Sequence, residues 1–227
     1  MIQQKYSNRS FGIESFTDQR IHQRFISFLD SEPKGTLLDI GAGTGALSKK
    51  LQKEGFEVTA CDLNSDNFIP SDIVCKTANL NVAFPFSDNS FNYAVAAEVI
   101  EHLENPWFFI RELYRITKPG GTVIISTPNL HNWYVRLYFF FSSKLYNFLS
   151  SYEKIGHITP VFLWNLKRMC EGMFDVTDVT TSHSVIPKLE INIPLNGLFF
   201  GQCIVVKMKR KLEVEHTSTK AGGYHKK

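Results

Sequence analysis

LLDIGAGTGALS, residues 37–48, is a short apolar strand that breaks at three alternate glycines and then continues as a helix. Gly41, Gly43 and Gly45 let the backbone approach a ligand with no side chain in between. In parallel α/β sheets such turns lie at the carboxyl ends of the strands, where ligands bind. Asp62 follows about twenty positions after the turn, where an acidic residue can bind the ribose hydroxyls of a nucleoside. The stretch therefore indicates a nucleoside cofactor. GAGTGA alone also fits G-x-G-x-x-G/A, which leaves a nicotinamide or flavin cofactor open.

Alternating strands and helices surround this turn. Apolar residues at helical spacing in residues 19–30 predict an amphipathic helix before it, and the segment after it predicts a helix that ends at Gly55. The predicted strands are TLLDI, FEVTACDL, DIVCKTANL, SFNYAVAAEV, TVIISTPN, FDVTDVTT and GQCIVVKMK. We therefore expect an α/β fold with a Rossmann-like, doubly wound, mostly parallel sheet and helices on both faces.

Length and composition narrow the class of protein. The chain has 227 residues, of which 43% are hydrophobic, and its apolar runs fall short of the roughly 20 residues that span a bilayer. The N-terminal segment lacks the basic start and apolar stretch of a secretory signal, so we expect a cytoplasmic protein. The cysteines stand far apart and are expected to be free thiols; they are Cys61, Cys75, Cys170 and Cys203.

The charge of the chain is unevenly distributed. Residues 209–227 hold six Lys/Arg and two Asp/Glu, which leaves nineteen basic and twenty acidic residues elsewhere. We expect a single domain over residues 1–208, with a disordered polar tail over residues 209–227. Because the domain is nearly neutral, a nucleic acid is an unfavoured partner.

Further motifs follow the glycine turn in a fixed order: VTACDL, TANLNVAFPFSDNSFNYAVAAEVIEHLENP and LYRITKPGGTVIISTPN. Asp39 also puts a carboxylate at the mouth of the turn, which suits a cationic ligand and would repel a pyrophosphate. From about residue 37 to residue 208 the chain closely resembles the class I S-adenosylmethionine-dependent methyltransferases. Within them it is similar to the ubiquinone-biosynthesis O-methyltransferase type, in the type 11/23 group. The resemblance implies a seven-stranded sheet whose last strand is antiparallel, and S-adenosylmethionine as the cofactor.

The resemblance also implies where the cofactor lies. Asp39 and the glycine turn would face its methionine part, and Asp62 would bind its ribose hydroxyls. Asn79 and Leu80 would flank the adenine, and residues 97–98 would lie near the transferable methyl. Relatives usually carry Asp where Asn79 stands, a departure that keeps a hydrogen-bonding group. The implied cofactor-binding residues are Asp39, Gly41, Ala42, Gly43, Gly45, Asp62, Leu63, Asn79, Leu80 and Ala97.

EVIEHLENP follows the fourth predicted strand. Glu98, Glu101 and His102 stand at i, i+3 and i+4, which on one helical turn places them on a single face beside the acceptor pocket. Two carboxylates and an imidazole can bind a divalent cation, which would lower the pKa of an acceptor hydroxyl. The run resembles that of the ubiquinone O-methyltransferases and small-RNA 2'-O-methyltransferases, where a later histidine, here His157, completes the metal site. The predicted ligands of a Mg or Zn ion are Glu98, Glu101, His102 and His157.

Two other interpretations of this run stay open. His102, with Glu101 beside it, is a candidate general base that needs no metal, and both residues are predicted to be catalytic. Alternatively, Glu101 and His102 are a solvated helix start with a structural role. The remaining histidines have no comparable neighbours and are expected to be surface or core residues; they include His22, His131 and His183.

An aromatic insertion, residues 131–157, separates the fifth strand from the next helix. Its large side chains recur at steps of four and three and predict one aromatic stripe if the segment is helical; they are Tyr134, Tyr138, Phe141, Leu145, Phe148 and Tyr152. In the resembling family this position is a lid over the acceptor site. The stripe can face an apolar substrate, contact a membrane surface through residues 133–152, or pack on its own domain. Membrane association is therefore an alternative to a freely cytoplasmic location.

Taken together, these features predict an enzyme that O-methylates a small or lipid-linked acceptor, either a quinone precursor or a glycan or glycolipid intermediate. The chain lacks the Asn/Asp-Pro-Pro-aromatic motif of amino-group methyltransferases after the fourth strand. A metal-dependent RNA 2'-O-methyltransferase is the alternative among methyltransferases. An NAD-dependent oxidoreductase and a non-catalytic S-adenosylmethionine-binding protein are the alternatives from other classes.

Overall fold

The structure is a computed structural model that describes residues 9–10, 13–15, 17–149, 156–186, 191–193, 195 and 197–212. The strands of its main sheet are β1 Thr36–Ile40, β2 Glu57–Asp62, β3 Val74–Thr77, β4 Phe91–Ala97, β5 Thr117–Pro128, β6 Phe174–Thr181 and β7 Cys203–Arg210. The helices are α1 Gln19–Leu29, α2 Ala46–Lys53, α3 Pro106–Ile116, α4 Trp133–Ser142 and α5 Leu163–Cys170. Two small antiparallel ribbons pair Arg9–Ser10 with Ile13–Glu14 and Ser184–Ile186 with Ile191–Ile193.

The seven strands form one sheet in the order β3-β2-β1-β4-β5-β7-β6. Strands β1 to β5 pair in parallel, and β7 is antiparallel to both of its neighbours, β5 and β6. This confirms the predicted doubly wound sheet and its antiparallel last strand. The strand order reverses between β1 and β4, and such a switch point opens a crevice at the carboxyl ends of the strands.

Helices cover both faces of the sheet. On one face Ile21, Phe25 and Leu29 of α1 pack with α2 against side chains of β1, β4, β5 and β7. On the other face α3 and α5 cover the alternate side chains of the same strands. Burial of each large apolar side chain stabilises the fold by about 1.5–3 kcal/mol. The predicted helix before the glycine turn is α1, and its apolar stripe holds it on the sheet. Asp18 caps this helix by accepting a hydrogen bond from the backbone amide of Arg20.

The last strand continues two residues past the predicted end of the domain. Lys209 pairs with Thr122 of β5, and Arg210 pairs with Phe174 of β6. Because β7 lies between two strands, its backbone groups find partners on both sides, and the strand extends as far as those neighbours reach. The tail prediction was therefore wrong for residues 209–210, and residues 213–227 lie outside the described part of the chain.

The aromatic insertion does not form one continuous helix. Helix α4 ends at Ser142, and Ser143 adopts a left-handed conformation with φ of 55°. A short 3₁₀ helix, Tyr146–Phe148, follows. The stripe was predicted on the condition that the segment is helical, and this condition fails beyond α4 because the turn at Ser143 ends the helical spacing. Tyr152 lies outside the described residues. Among the described residues, no helix has the length and hydropathy needed to cross a membrane.

Candidate active site

The glycine turn is built so that side chains are excluded at its tightest point. Gly41 and Gly43 adopt the left-handed conformation, with φ of 69° and 53°. A Cβ atom at Gly41 would lie only 2.5 Å from Cγ2 of Val99. The backbone amides of Gly41 and Ala42 donate to the carbonyl of Cys61 at 2.8 and 3.1 Å. The turn is therefore tied to the end of β2, and Gly41 is required there for both conformation and space.

Asp62 reaches the same turn from the end of β2. Its Oδ2 accepts a hydrogen bond from the amide of Gly43 at 2.8 Å, and its Oδ1 accepts one from the amide of Asn64 at 2.9 Å. Each carboxylate oxygen has two lone pairs, so Asp62 can still accept hydrogen bonds from ribose hydroxyls. The side chain thus fixes the turn and faces the neighbouring cavity, which it lines.

Asp39 lies beneath the turn, at the end of β1, and is buried. Its Oδ2 accepts a hydrogen bond of 2.6 Å from Oγ of Ser48. Burial, together with the charge of Asp62, raises the pKa of Asp39 to about 7, although the Ser48 hydrogen bond opposes the shift. A cationic ligand beside it would favour the charged form. The carboxyl group therefore suits the positive part of a ligand.

A cavity of about 380 Å³ lies at the carboxyl ends of β1, β2 and β4, within the range typical of small-molecule sites. Gly45 does not line it; this residue caps α2 with φ of 84°, and a side chain there would meet Phe68 and Pro70. The other nine predicted cofactor residues line the cavity: Asp39, Gly41, Ala42, Gly43, Asp62, Leu63, Asn79, Leu80 and Ala97.

Asn79 lies in a loop that is held by hydrogen bonds to the amide side chains of Asn79 and Asn81. Its Oδ1 accepts a hydrogen bond from the amide of Asn81 at 3.0 Å. Oδ1 of Asn81 in turn accepts one from the amide of Glu104 at 2.9 Å. Asn79 and the buried Leu80 line the cavity from this loop. Their contact with an adenine ring stays a prediction.

Glu98 departs from the helical geometry that its spacing predicted. Its φ is 57°, so the chain turns before the 3₁₀ helix Ile100–His102 and Glu98 does not continue that helix. Its Oε1 accepts a hydrogen bond from Oγ of Ser126 at 2.8 Å, and its Oε2 accepts one from Sγ of Cys203 at 3.3 Å. Burial raises the pKa of Glu98 to about 7. The carboxyl group is thus bound to the sheet and does not join the other three predicted metal ligands.

Those three residues, Glu101, His102 and His157, are brought together. One potential ligand atom from each lies within 4.8 Å of the others, and the two imidazole centroids are 4.8 Å apart. Oε2 of the fully buried Glu101 accepts a hydrogen bond from Oγ1 of Thr127 at 3.0 Å, whereas Oε1 has no hydrogen-bond partner among the described residues. Burial and then the charge of Glu98 raise the pKa of Glu101 well above its usual range. A cation would complete this donor set.

Backbone carbonyls fix the tautomers of both histidines. Nδ1 of His102 lies 3.1 Å from the carbonyl of Gly156, and Nδ1 of His157 lies 3.0 Å from that of Asn147. Because a carbonyl only accepts, each Nδ1 carries a proton, and the lone pair of a neutral ring is on Nε2. Burial, with a contribution from His102, lowers the pKa of His157 to about 4. The arrangement therefore suits binding of a cation, or acceptance of a proton, through Nε2.

Comparison with known proteins agrees with this geometry. The family described as "Methyltransferase domain" matches residues 14–169, more than half of the chain. The chain belongs to the S-adenosylmethionine-dependent methyltransferases. This membership favours S-adenosylmethionine over a nicotinamide cofactor for the glycine turn.

Individual relatives share only part of their length with this methyltransferase. The ubiquinone biosynthesis O-methyltransferase of Caulobacter vibrioides is 34% identical over 103 residues, which are 41% of this chain and 41% of that protein. The 2-methyl-6-phytyl-1,4-hydroquinone methyltransferase of Synechocystis is 34% identical over 110 residues, 44% of this chain and 35% of that protein. The chain thus spans less than half the length of these relatives.

A solved structure shows the same fold. It is that of a SAM-dependent methyltransferase from Archaeoglobus fulgidus, which is 19% identical to this chain. The two structures superpose with a TM-score of 0.60, over 82% of this chain and 90% of that chain.

The methyltransferase cavity also includes residues that the sequence analysis missed. Ser15, Thr17 and His22 line it from the N-terminal segment and α1. Oγ1 of Thr44 donates a hydrogen bond of 2.5 Å to the carbonyl of Glu14, which holds this segment against the glycine turn. No sequence spacing signals the contact, because it arises only when α1 packs on the sheet.

The aromatic insertion of the methyltransferase divides into two groups of side chains. Tyr146 packs edge-on against Tyr134 and Tyr138, with centroids 4.9 and 5.5 Å apart. The ring of Phe148 lies 5.6 Å from that of His157, so this group reaches the histidine pair. The second group, the exposed apolar surface of α4, consists of Leu137, Phe139, Phe140 and Phe141.

Proposed function

We propose that the chain transfers the methyl group of S-adenosylmethionine to a hydroxyl oxygen of a small or lipid-linked acceptor. The observation that carries the proposal is the position of His102. This residue lines the cofactor cavity and also belongs to the cluster with Glu101 and His157. A methyl donor held by Asp62 and the glycine turn would therefore lie beside a group that can accept the acceptor's proton.

Methyl transfer from a sulfonium is a direct displacement, which requires the acceptor oxygen, the methyl carbon and the sulfur to lie in line. The carbon–sulfur bond breaks as the carbon–oxygen bond forms, and the hydroxyl proton must leave. Nε2 of His102 would take that proton, because its Nδ1 is held by the carbonyl of Gly156. Burial favours the neutral form of Glu101 in the ligand-free protein, and a positive charge on the His102 ring would favour its charged form, because Glu101 has an oxygen within 4.8 Å of an imidazole nitrogen.

As an alternative to proton transfer by His102, a divalent cation fits the same cluster and would use the lone pair on Nε2 of that residue. Two imidazoles and one carboxylate are a donor set typical of zinc, with a position left for substrate, whereas magnesium prefers oxygen ligands. Zinc is therefore the better fit of the two predicted ions, and Oε1 of Glu101 supports the proposal as a buried oxygen that lacks a described partner. When bound, such an ion would lower the pKa of an acceptor hydroxyl.

We infer that the acceptor is a hydroxylated aromatic ring with an apolar tail. The relatives described above are named for ubiquinone biosynthesis and for a phytylated hydroquinone. The ring of Phe148 lies 5.6 Å from that of His157 and would stack on such an acceptor.

We also infer that the exposed apolar surface rests on an anionic membrane. Phe140 and Phe141 are 79% and 78% exposed. Arg136 and Lys144 are exposed beside them, and residues 131–152 contain no Asp or Glu. Apolar side chains with basic neighbours bind the surface of an anionic bilayer. A lipid-linked acceptor would then reach the cavity without leaving the membrane.

The test of the acceptor class offers labelled S-adenosylmethionine together with four acceptors. These are a prenylated dihydroxybenzene, the same ring without its tail, a lipid-linked glycan fraction and an RNA duplex. The proposal expects label in a methyl ether of the prenylated ring, and much less label with the His102→Ala variant than with a His131→Gln control. Label on RNA would establish the 2'-O-methyltransferase alternative, label on the glycan would replace the acceptor, and no label on any hydroxyl would refute O-methylation.

A further inference from the structure

His183 lies at the side of the sheet opposite Asp62 and Asn79, the residues predicted to bind the adenosine. Asp62 ends β2 and Asn79 follows β3, whereas His183 follows β6, the strand at the other edge. The amide of Gln202 donates a hydrogen bond of 2.8 Å to the carbonyl of His183, just before β7 begins at Cys203. Because β7 is antiparallel to β5, its start lies at the carboxyl ends of the parallel strands. His183 is therefore at the edge of the sheet where ligands bind.

Asp18 links His183 to the wall of the cofactor cavity. Its Oδ2 lies 3.6 Å from Nε2 of His183, and the two side chains are only 8% and 13% exposed. After burial, the charge of Asp18 contributes to the raised pKa of Glu98, which lines the cavity. Ser15 and Thr17, from the same N-terminal segment as Asp18, line the cavity as well. Asp18 and His183 thus form a buried pair close to Glu98, which was predicted to lie near the transferable methyl.

One nitrogen of the His183 ring, Nδ1, is buried without a hydrogen-bond partner among the described residues. Burial lowers the pKa of His183 to about 4, although the charge of Asp18 opposes the shift. The ring is therefore neutral at pH 7 and carries one proton. A carboxylate only accepts, so this proton belongs on Nε2, beside Asp18, and Nδ1 keeps its lone pair. His183 thus presents a buried acceptor that needs a donor.

Two side-chain donors near His183 are engaged elsewhere. Oγ of Ser184, the next residue, donates to the carbonyl of Leu195. Sγ of Cys203 donates to Oε2 of Glu98 at 3.3 Å. A ligand can therefore supply the hydrogen bond that Nδ1 of His183 lacks.

The position of the pair favours the methyl acceptor over the cofactor as that ligand. The glycine turn follows β1, and β4, β5 and β7 lie between β1 and β6 in the sheet. The cofactor is expected to extend from β3 to the glycine turn, on the other side of β4. The acceptor must approach the methyl group from the side that the cofactor leaves open, which includes the Asp18–His183 pair.

We propose that the Asp18–His183 pair binds a hydroxyl group of the acceptor other than the one that is methylated. That hydroxyl donates a hydrogen bond to Nδ1 of His183, while Asp18 keeps the ring proton on Nε2. The inference rests on the proposed function, because it takes a hydroxylated ring as the acceptor. It makes His183 a specificity-determining residue, since a ring without the second hydroxyl leaves a buried acceptor unpaired.

The test measures binding to the protein loaded with S-adenosylhomocysteine, by isothermal titration calorimetry. The ligands are the three positional isomers of a prenylated dihydroxybenzene and the prenylated phenol, which has a single hydroxyl. The wild type is expected to bind one isomer at least about tenfold more tightly than the phenol. His183→Leu is expected to lose this preference. His183→Asn keeps an acceptor at the δ position and should retain most of it.

Asp18→Asn, which keeps a cap for α1 and removes the charge, should lower the preference for that isomer. Asp178→Asn, at an exposed position of β6, is the control and should leave it unchanged. If His183→Leu fails to fold, the wild-type ligand set and Asp18→Asn still decide the question.

Three results would overturn the proposal while the proposed function stands. They are equal binding of all four rings by the wild type, a preference that survives in His183→Leu, and an equal loss of affinity for all four rings in that variant. If the loaded wild type binds none of the rings, the proposed acceptor itself fails, and the role of His183 fails with it.

Discussion

Asp62 and Gly43, nineteen residues apart, are joined by a hydrogen bond of 2.8 Å between a carboxylate oxygen and a backbone amide. The carboxylate ends β2, and the amide belongs to the turn that follows β1. The side chain expected to bind the ribose is therefore also the one that holds the turn in place. Cofactor affinity and the shape of the turn consequently depend on the same carboxylate.

Gly41→Ala should destabilise the protein more than an alanine at another left-handed glycine. Gly172 has φ of 76° and open space where a Cβ atom would stand, so Gly172→Ala isolates the conformational cost, about 1–2 kcal/mol. Gly41→Ala adds a clash with Val99, which is expected to cost about 1–3 kcal/mol more. Urea unfolding of both variants measures the difference.

The clash itself is tested by a double-mutant cycle. Val99→Ala removes the Cγ2 atom that a side chain at Gly41 would meet. The double variant should therefore be more stable than the sum of the two single losses predicts. Strictly additive losses would show that Val99 is not the obstacle.

Asp39 should make the stability of the ligand-free protein depend on pH. Burial raises its folded-state pKa to about 7 from the ordinary value of 3.8. Between about pH 4 and pH 7 the folded protein therefore holds more protons than the unfolded chain, and stability falls as pH rises. Asp39→Asn keeps an acceptor for Ser48 and removes this dependence. Its stability relative to the wild type should thus increase from pH 5 to pH 8, by up to about 3 kcal/mol.

Denaturant unfolding at the two pH values measures that change. Asp66→Asn, the same substitution at an exposed position, is the control. An Asp39→Asn difference that is constant would mean that the buried carboxyl group ionises as easily in the folded protein as in the unfolded chain.

Zinc binding should depend on Glu101. Glu101→Gln keeps an oxygen for the hydrogen bond from Thr127 and removes the charge that a cation needs. We expect the wild type to bind one zinc ion and the variant to bind it at least about tenfold more weakly. A chromophoric chelator in competition with the protein measures the affinity, with the exposed Glu104→Gln as the control.

Activity after chelation separates the cation from a metal-free base. If the ion is used, chelation abolishes methyl transfer and added zinc restores it. Full activity in a metal-free preparation would contradict a catalytic ion and leave His102 as the base.

Vesicle flotation should depend on the exposed apolar surface. Replacing Phe140 and Phe141 by serine removes its two most exposed rings. We expect the wild type to float with phosphatidylglycerol vesicles and weakly with phosphatidylcholine, and the double variant to stay at the bottom of the gradient. Trp107→Ser, an exposed aromatic residue on α3, should float like the wild type. Equal behaviour of the wild type and the double variant would contradict membrane contact.

The sheet and the glycine turn could be predicted because their signals are local. Apolar runs, alternating elements and glycines at residues 41, 43 and 45 each specify a conformation within a few residues. The positive φ of all three glycines is what that pattern requires. The strand before the turn and the helix after it could therefore be predicted without knowing which distant segments they contact.

The composition of the candidate site was harder to predict, because it depends on contacts between distant segments. Helical spacing placed Glu98 with Glu101 and His102, but Ser126 and Cys203, from β5 and β7, bind its side chain. His22 was expected to be an ordinary surface or core residue, and it lines the cavity only because α1 packs across the sheet. The periodicity of apolar residues describes one helix or strand at a time. It therefore predicted neither the side-chain partners of Glu98 nor the position of His22 at the cavity.

Calorimetric titration with S-adenosylmethionine, S-adenosylhomocysteine and NADH tests the central claim, that the glycine turn and Asp62 form an S-adenosylmethionine site. We expect both sulfur-containing ligands to bind the wild type and NADH not to bind. Asp62→Ala should weaken both by at least about a hundredfold, because the ribose loses charge-assisted hydrogen bonds and the amide of Gly43 loses its acceptor. Binding of NADH without binding of S-adenosylmethionine would contradict the claim.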